Sequence, residues 1–333
     1  MNRFFAIPAV LVLGVAMVSA APGKQAYPLR DSVPFTVREG LPNFLKKANT
    51  TGASIRIGYL GGSITAQSGW RPKTLSWFQK TYPKATFTEI NAAIGGTGSD
   101  LGVYRLEQDV LQHKPDLLFV EFAVNDGGAQ SDRIHKAMEG IVRQTWKANP
   151  ETDICFVYTL TQGMLKDLQK GKYPNAASAM EVLADFYGIP SIHMGYHVSR
   201  LEQTGTVLFK HPKPRTPEER EAVKGKILFS KDGVHPYAGS GHQLYLEAVV
   251  AGMKAMRTVG KVGAHVLAAP MRADNWENAK LIPFGQSTLS AGWQEVTDTL
   301  DDERAKGLAK RFRSRLPRMW VARKPGESVT FKF

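Results

Sequence analysis

Four short stretches place hydroxyl, imidazole, amide and backbone N–H groups where they can do chemistry. Ser63 lies in Gly61-Gly62-Ser63-Ile64-Thr65, at the point where an apolar, β-branched run through Ile55, Ile57, Tyr59 and Leu60 gives way to a helical pattern. A serine at such a junction sees the positive end of a helix dipole, which favours an anion developing nearby. In Asp232-Gly233-Val234-His235-Pro236 a carboxylate precedes an imidazole by three residues on a tight turn. The aspartate can accept the Nδ1–H there, leaving Nε2 to take a proton from a serine hydroxyl. Asn125, in Phe122-Ala123-Val124-Asn125-Asp126-Gly127-Gly128, offers amide donors that can hold an oxyanion without adding a charge beside a base. The glycines of Asn91-Ala92-Ala93-Ile94-Gly95-Gly96-Thr97-Gly98 let backbone N–H groups converge on a ligand.

Taken singly, each stretch also has an ordinary reading. Ser63 fits a helix N-cap, Asn-Asp-Gly-Gly fits a turn, and Asp232 fits an Asx-turn. Other chemistries match poorly. No Gly-Lys-Ser/Thr follows Gly61-Gly62, so this is not a phosphate loop, and the outer positions around Ser63 are not those of a G-x-S-x-G elbow. The segment from Gly96 to Leu101 lacks the third glycine of a dinucleotide fingerprint, although Glu121 lies at a suggestive distance for one. No second histidine stands at metal-ligand spacing beside His235, so no metal is expected there, and serine-based acyl transfer of the kind these groups could run requires neither a metal nor an organic cofactor.

The elements that must position these residues alternate. Strands near 55–60, 86–91, 116–122, 153–160 and 190–193 are separated by helical patterns at 73–81, 100–112, 132–148 and 176–187, with a last helix at 238–257. Such alternation predicts an α/β, three-layer fold with a parallel sheet between helices, and it puts all four stretches at one edge of that sheet. A chain of 333 residues with 43% hydrophobic and 22% charged composition is ordinary for a globular protein, which excludes a disordered or fibrous chain. Residues 1–20 combine Arg3, an apolar run and the small-residue exit Val18-Ser19-Ala20, the pattern of a cleaved signal peptide, so a secreted or periplasmic protein is expected. The run falls short of the roughly 20 apolar residues that a membrane span needs. Residues 21–52 read as an exposed lead-in with a short helix at 41–48, residues 53–258 as the α/β unit, and residues 259–333 as a small β-rich appendage with Trp276, Trp293, Trp320 and a basic segment containing Arg311, Arg313, Arg315 and Arg318. The last strand runs to Phe333, as expected if the appendage is a truncated form of a larger β-domain. An insertion at 201–230 reads as a solvated loop or helical hairpin whose end feeds into Asp232. Cys155 is the single cysteine, in an apolar run that predicts a buried, inert thiol.

Together and in this order, the four stretches resemble the SGNH hydrolase family, the GDSL-like esterases and lipases, over about residues 53–258. The resemblance implies Ser63 as nucleophile, His235 as general base and then acid, and Asp232 as the residue orienting it. It implies an oxyanion hole formed by the Ser63 N–H, the Gly96 N–H and the Asn125 side chain. Two departures stand out: Gly-Gly-Ser-Ile-Thr replaces the Gly-Asp-Ser-Leu of the family's name, and Ala123 stands where many members carry glycine.

For the substrate, an export signal, a net charge of +13 and Trp70 seven residues after Ser63 point to the ester of a sugar, since an indole can stack on a pyranose. The name-motif variant with a β-rich appendage resembles bacterial carbohydrate O-acetyl esterases. The expected partner is therefore an O-acetylated oligo- or polysaccharide, with neither nucleic acid nor stable membrane insertion. Trp70 fits a core position equally well. The alternatives are a lipolytic esterase, lysophospholipase or thioesterase, which needs an apolar acyl channel, and a catalytically silent polysaccharide-binding protein. Acetyl transfer to a glycan would use the same residues as hydrolysis.

Overall fold

A computed structural model describes residues 28–282, 284–297, 299, 301–312, 319–322 and 324–331. The expected signal peptide and Arg313, Arg315, Arg318 and Phe333 lie outside the described residues.

The first helical and strand segments are not an exposed lead-in. Strand β1 (Phe35–Thr36) adds antiparallel to the sheet edge, and α1 (Pro42–Ala48) buries Leu41, Phe44 and Leu45 in the core. Then β2 (Ser54–Gly61), α2 (Ser63–Ala66), α3 (Trp70–Thr81), β3 (Thr86–Ala93), α4 (Ser99–Tyr104), α5 (Leu106–Asp109), β4 (Leu117–Glu121), α6 (Ser131–Ala148), β5 (Asp153–Tyr158), α7 (Leu165–Gln169), α8 (Asn175–Tyr187) and β6 (Ser191–His193) follow. These build a six-stranded sheet in the order β1-β6-β5-β4-β2-β3, parallel throughout except for β1. The helix expected over 100–112 breaks at Arg105, whose buried guanidinium turns back to the Ala92 carbonyl and to Asp109.

Central strands flanked on both faces must be apolar on both faces, which is why β4 and β5 read as unbroken hydrophobic runs. Leu117, Phe119, Cys155 and Val157 point into one core with Ile57, Tyr59, Trp70 and Phe78. Leu118, Val120, Ile154 and Phe156 point into the other with Ile134, Met138, Ile141 and Leu183 from α6 and α8. Cys155 is fully buried and burial pushes its thiol pKa up, consistent with an inert packing role.

The chain continues through α9 (Tyr196–Gln203), β7 (Val207–Lys210), α10 (Pro217–Ala222), β8 (Ile227–Ser230) and α11 (Gly241–Ala255). The insertion is thus neither a plain loop nor a helical hairpin: β7 and β8 pair in parallel, with α10 between them, capped by Thr216 and Glu219. Its apolar face, Val207, Phe209 and Phe229, joins the first core and carries the chain into Asp232.

Residues 264–281 lie along α6 without a regular element. The Trp276 N–H donates to the Lys136 carbonyl, Met271 and Arg272 N–H groups donate to the buried Glu139 carboxylate, and Glu277 pairs with Arg143. Trp276 therefore belongs to the cover of α6 rather than to a β-structure. The antiparallel pieces begin at Ser287: β9 (Ser287–Leu289) pairs with β12 (Val329–Phe331) and β10 (Trp293–Glu295) with β11 (Trp320–Ala322), with α12 (Glu303–Phe312) between. Among the described residues no helix is long and apolar enough to cross a membrane.

Candidate active site

Parallel strands deliver their following loops to one edge of a sheet, so residues distant in sequence meet there. Ser63 is the first residue of α2, directly after β2. His235 and Asp232 lie on the turn between β8 and α11, and Asn125 follows β4. His235 Nε2 stands 2.9 Å from Ser63 Oγ, across 172 positions of sequence, and His235 Nδ1 stands 2.7 Å from Asp232 Oδ2.

The second carboxylate oxygen of Asp232 is occupied separately. Oδ1 accepts from the Val234 N–H (2.9 Å), the His235 N–H (2.8 Å) and the Ser230 hydroxyl (2.9 Å). Partial burial works against ionisation, but the His235 ring, the two backbone donors and Ser230 outweigh it and hold the carboxyl well below the usual carboxylate range. An ionised carboxylate can only accept. The proton between the two side chains therefore sits on His235 Nδ1, and the ring so held directs Nε2 at the Ser63 hydroxyl. The turn is pinned from both sides: Gln162 N–H donates to the Gly233 carbonyl, and Tyr237 N–H to that of Phe229.

Asn125 is brought against the residue preceding Ser63. A Cβ built on Gly62 would lie 1.9 Å from Asn125 Oδ1, so the amide occupies space that only glycine leaves open. Asn125 and Gly96 together line a cavity of about 630 Å³ that adjoins Asp126, Ser99 and Arg133. Ser63 and His235 line a neighbouring depression of about 450 Å³ with Ala66, Gln67, Asn91, Ala93, Ile94 and Gly95. Among the described residues no group of three His, Cys, Asp or Glu side chains converges as a metal site would require.

Trp70 does not face this site. Its ring is fully buried, 5.4 Å from Tyr59 and 5.8 Å from Phe119 between centroids, in edge-to-face contacts that fill the core beneath α3. With no exposed face it offers no platform to a sugar. The reason is periodicity: Trp70, Thr74 and Phe78 form one stripe of α3 against the sheet.

The supporting roles of three further residues, Glu121, Asp126 and Ser230, were not visible in the sequence. Glu121, at the end of β4, is buried and accepts from Thr65 Oγ (2.9 Å), Thr159 Oγ (2.6 Å) and the Gly62 N–H, so it fastens the floor under Ser63 and is not a ribose ligand. Burial raises its pKa to about 6. Asp126 is likewise raised to about 6 by burial, and its Oδ1 accepts the Ser99 N–H at 3.0 Å, tying the Gly96–Ser99 loop to Asn125's own turn. Ser230 steadies Asp232; a serine two residues before the aspartate was its sole signal.

The profile of the GDSL-like Lipase/Acylhydrolase family matches residues 59–244, more than half the chain, from the last residues of β2 to the first turn of α11. No curated protein sequence matches. Among solved structures, a two-domain esterase (CEX) active on acetylated mannans, co-crystallised with mannopentaose, superposes with a TM-score of 0.64 at 24% identity, over 86% of this chain and 69% of that one. An acetylxylan esterase from Geobacillus stearothermophilus gives a TM-score of 0.46 at 18% identity, over 61% of this chain and 95% of that one.

Proposed function

The chain belongs to the GDSL-like lipase/acylhydrolase family and is a carboxylic ester hydrolase, and from that premise we propose that it removes acetyl groups from an O-acetylated carbohydrate through Ser63, His235 and Asp232. The observation that carries the reading is the continuous line from the Asp232 carboxylate through His235 to Ser63 Oγ, with the imidazole held by the carboxylate at Nδ1 and turned to Ser63 at Nε2. Ser63 Oγ attacks the ester carbonyl as its proton passes to His235 Nε2. The oxyanion is held by the Ser63 N–H, the Gly96 N–H and the Asn125 amide, each donor contributing about 3 kcal/mol in the transition state. His235 then protonates the departing sugar oxygen, leaving an acetyl-serine. Water, deprotonated by the same nitrogen, adds to that ester, and collapse returns acetate and the Ser63 hydroxyl. Asp232 remains ionised and stabilises the imidazolium.

Two features favour a short acyl group on a sugar. The depression at Ser63 is small and its apolar lining is only Ala66, Ala93 and Ile94 around polar neighbours, which suits acetyl better than a fatty chain. The two-domain esterase sharing this fold acts on acetylated mannans. The N-terminal pattern of residues 1–20 fits export to where such polymers occur. Hydrolysis of p-nitrophenyl acetate and octanoate, together with acetate release from acetylated manno- and xylo-oligosaccharides, tests the proposal with Ser63→Ala as control. Acetate preference lost in Ser63→Ala supports it; octanoate preference, or turnover unchanged by the substitution, refutes it.

A further inference from the structure

Four residues beyond Ser63, a second polar side chain opens into the same depression, and its orientation is dictated from below. His242, at the start of α11, is 1% exposed. Its Nδ1 lies 3.1 Å from the Trp70 backbone nitrogen, the first residue of α3, whose N–H has no partner within its own helix. Only an unprotonated Nδ1 can accept that N–H, and burial, with the Lys73 charge nearby, lowers the His242 pKa to about 4. The ring is thus neutral with its proton on Nε2. Gln67 lies 3.1 Å from Nε2, and it must present Oε1 there, because two donors cannot face each other. Its NH₂ group is consequently turned away from the imidazole.

Neither partner is free to change this. A Cβ on Gly69 would come within 2.3 Å of the His242 ring, so the imidazole is packed flat against the backbone of the loop it orients. The Gln67 backbone is held by its own N–H to the Ser63 carbonyl (3.1 Å) and by its carbonyl to the Gly69 N–H (2.8 Å). The half-buried amide lines the depression beside Ser63 and His235.

We propose that Gln67 contacts the substrate, its side-chain NH₂ donating to a hydroxyl oxygen of the sugar that carries the ester, with His242 and the Trp70 N–H as the positioning chain that aims it. This assignment rests on the carbohydrate-esterase reading above. It moves the sugar contact that an indole at position 70 would have supplied to an amide three residues earlier. The amide selects for alcohol portions with a hydroxyl near the ester, which a p-nitrophenyl group lacks.

The test uses the full chain carrying Gln67→Met, which keeps the side chain's length and removes both donors. The readout is kcat and KM on an acetylated xylo- or manno-oligosaccharide and on p-nitrophenyl acetate. One lost hydrogen bond corresponds to about a tenfold fall in kcat/KM. The expected result is a fall on the oligosaccharide about tenfold greater than any fall on p-nitrophenyl acetate. His242→Phe is expected to give the same selective loss, and the double substitution no further loss beyond Gln67→Met; if His242→Phe does not fold, Gln67→Met decides alone. Equal losses on both substrates, or none on either, overturn the assignment while leaving the esterase reading intact. Hydrolysis of p-nitrophenyl acetate with no acetylated oligosaccharide turned over by the unsubstituted protein overturns the carbohydrate reading and this assignment together.

Discussion

Replacing Gly62 by alanine tests the oxyanion contact proposed for Asn125 separately from the rest of the site. The new methyl would stand 1.9 Å from Asn125 Oδ1 and 2.8 Å from its Cγ. Carbon and oxygen need about 3.4 Å, so the amide must withdraw by about 1.5 Å. An oxyanion donor acts at about 2.7–3.1 Å, and a displacement of that size removes it. The clash is with the end of a rotatable side chain, so the fold survives while the donor is lost. The expected cost is about 3 kcal/mol in the transition state, or a fall in kcat of about 10²-fold with little change in KM. Steady-state hydrolysis of p-nitrophenyl acetate reads this, with thermal melting as the check on folding. The decisive comparison is a double-mutant cycle with Asn125→Ala. Once the amide is gone the methyl at position 62 has nothing to displace, so Gly62→Ala/Asn125→Ala should be no slower than Asn125→Ala alone. Retention of activity within threefold in Gly62→Ala, or multiplicative losses in the double variant, would refute the placement of Asn125 in the oxyanion hole.

Asp232→Asn keeps the shape of the turn but lets the amide donate towards Nδ1, which favours the wrong tautomer of His235; kcat should drop by about 10³–10⁴-fold with the melting temperature nearly unchanged, and a loss below tenfold would argue that His235 is oriented by something else. Glu121 has its pKa raised to about 6 in the folded protein from an ordinary 4.5. The unfolded chain therefore releases this proton first, and stability present below about pH 4.5 is lost as pH rises through 6, by about 2 kcal/mol. Urea unfolding at pH 5 and pH 8 should show Glu121→Gln gaining about that much relative to the unsubstituted protein at the higher pH, whereas parallel pH profiles would contradict the assignment. Trp70→Ala should cost about 3–5 kcal/mol of stability as a core void, measured by denaturant unfolding, with the ratio of oligosaccharide to p-nitrophenyl acetate turnover preserved; a selective loss on the oligosaccharide would restore its sugar-binding role.

How far the chain could be read without coordinates follows from the range of the forces involved. Alternating apolar runs and helical stripes are local patterns, and β2 through β6 follow from them to within about two residues, as does the delivery of Ser63, Asn125 and the Asp232–His235 turn to one edge, while the helix expected over 100–112 is broken by the tertiary contacts of Arg105. The Asp232–His235 pair was legible because its members are three positions apart on one turn. The 2.9 Å contact between His235 and Ser63 was not, since it depends on how α11 and β2 pack across 172 positions. Edge strand β1 and the β7–β8 pair escaped because two to four residues carry too little periodicity to be recognised, and both exist only through partners supplied elsewhere. Trp70 shows the limit most plainly. Its residue type suits a sugar platform or a core, and only the packing of α3 on Tyr59 and Phe119 chooses the core. The backbone at the start of α3, whatever its side chain, sets the residue 70 N–H on His242 and so turns the Gln67 amide, a chain of hydrogen bonds joining positions 67, 70 and 242. Sequence determined which chemical groups this protein owns and the sheet edge where they gather. Tertiary structure alone decided which of them touch, because hydrogen bonds and van der Waals contacts act over a few ångströms of space and are indifferent to distance along the chain.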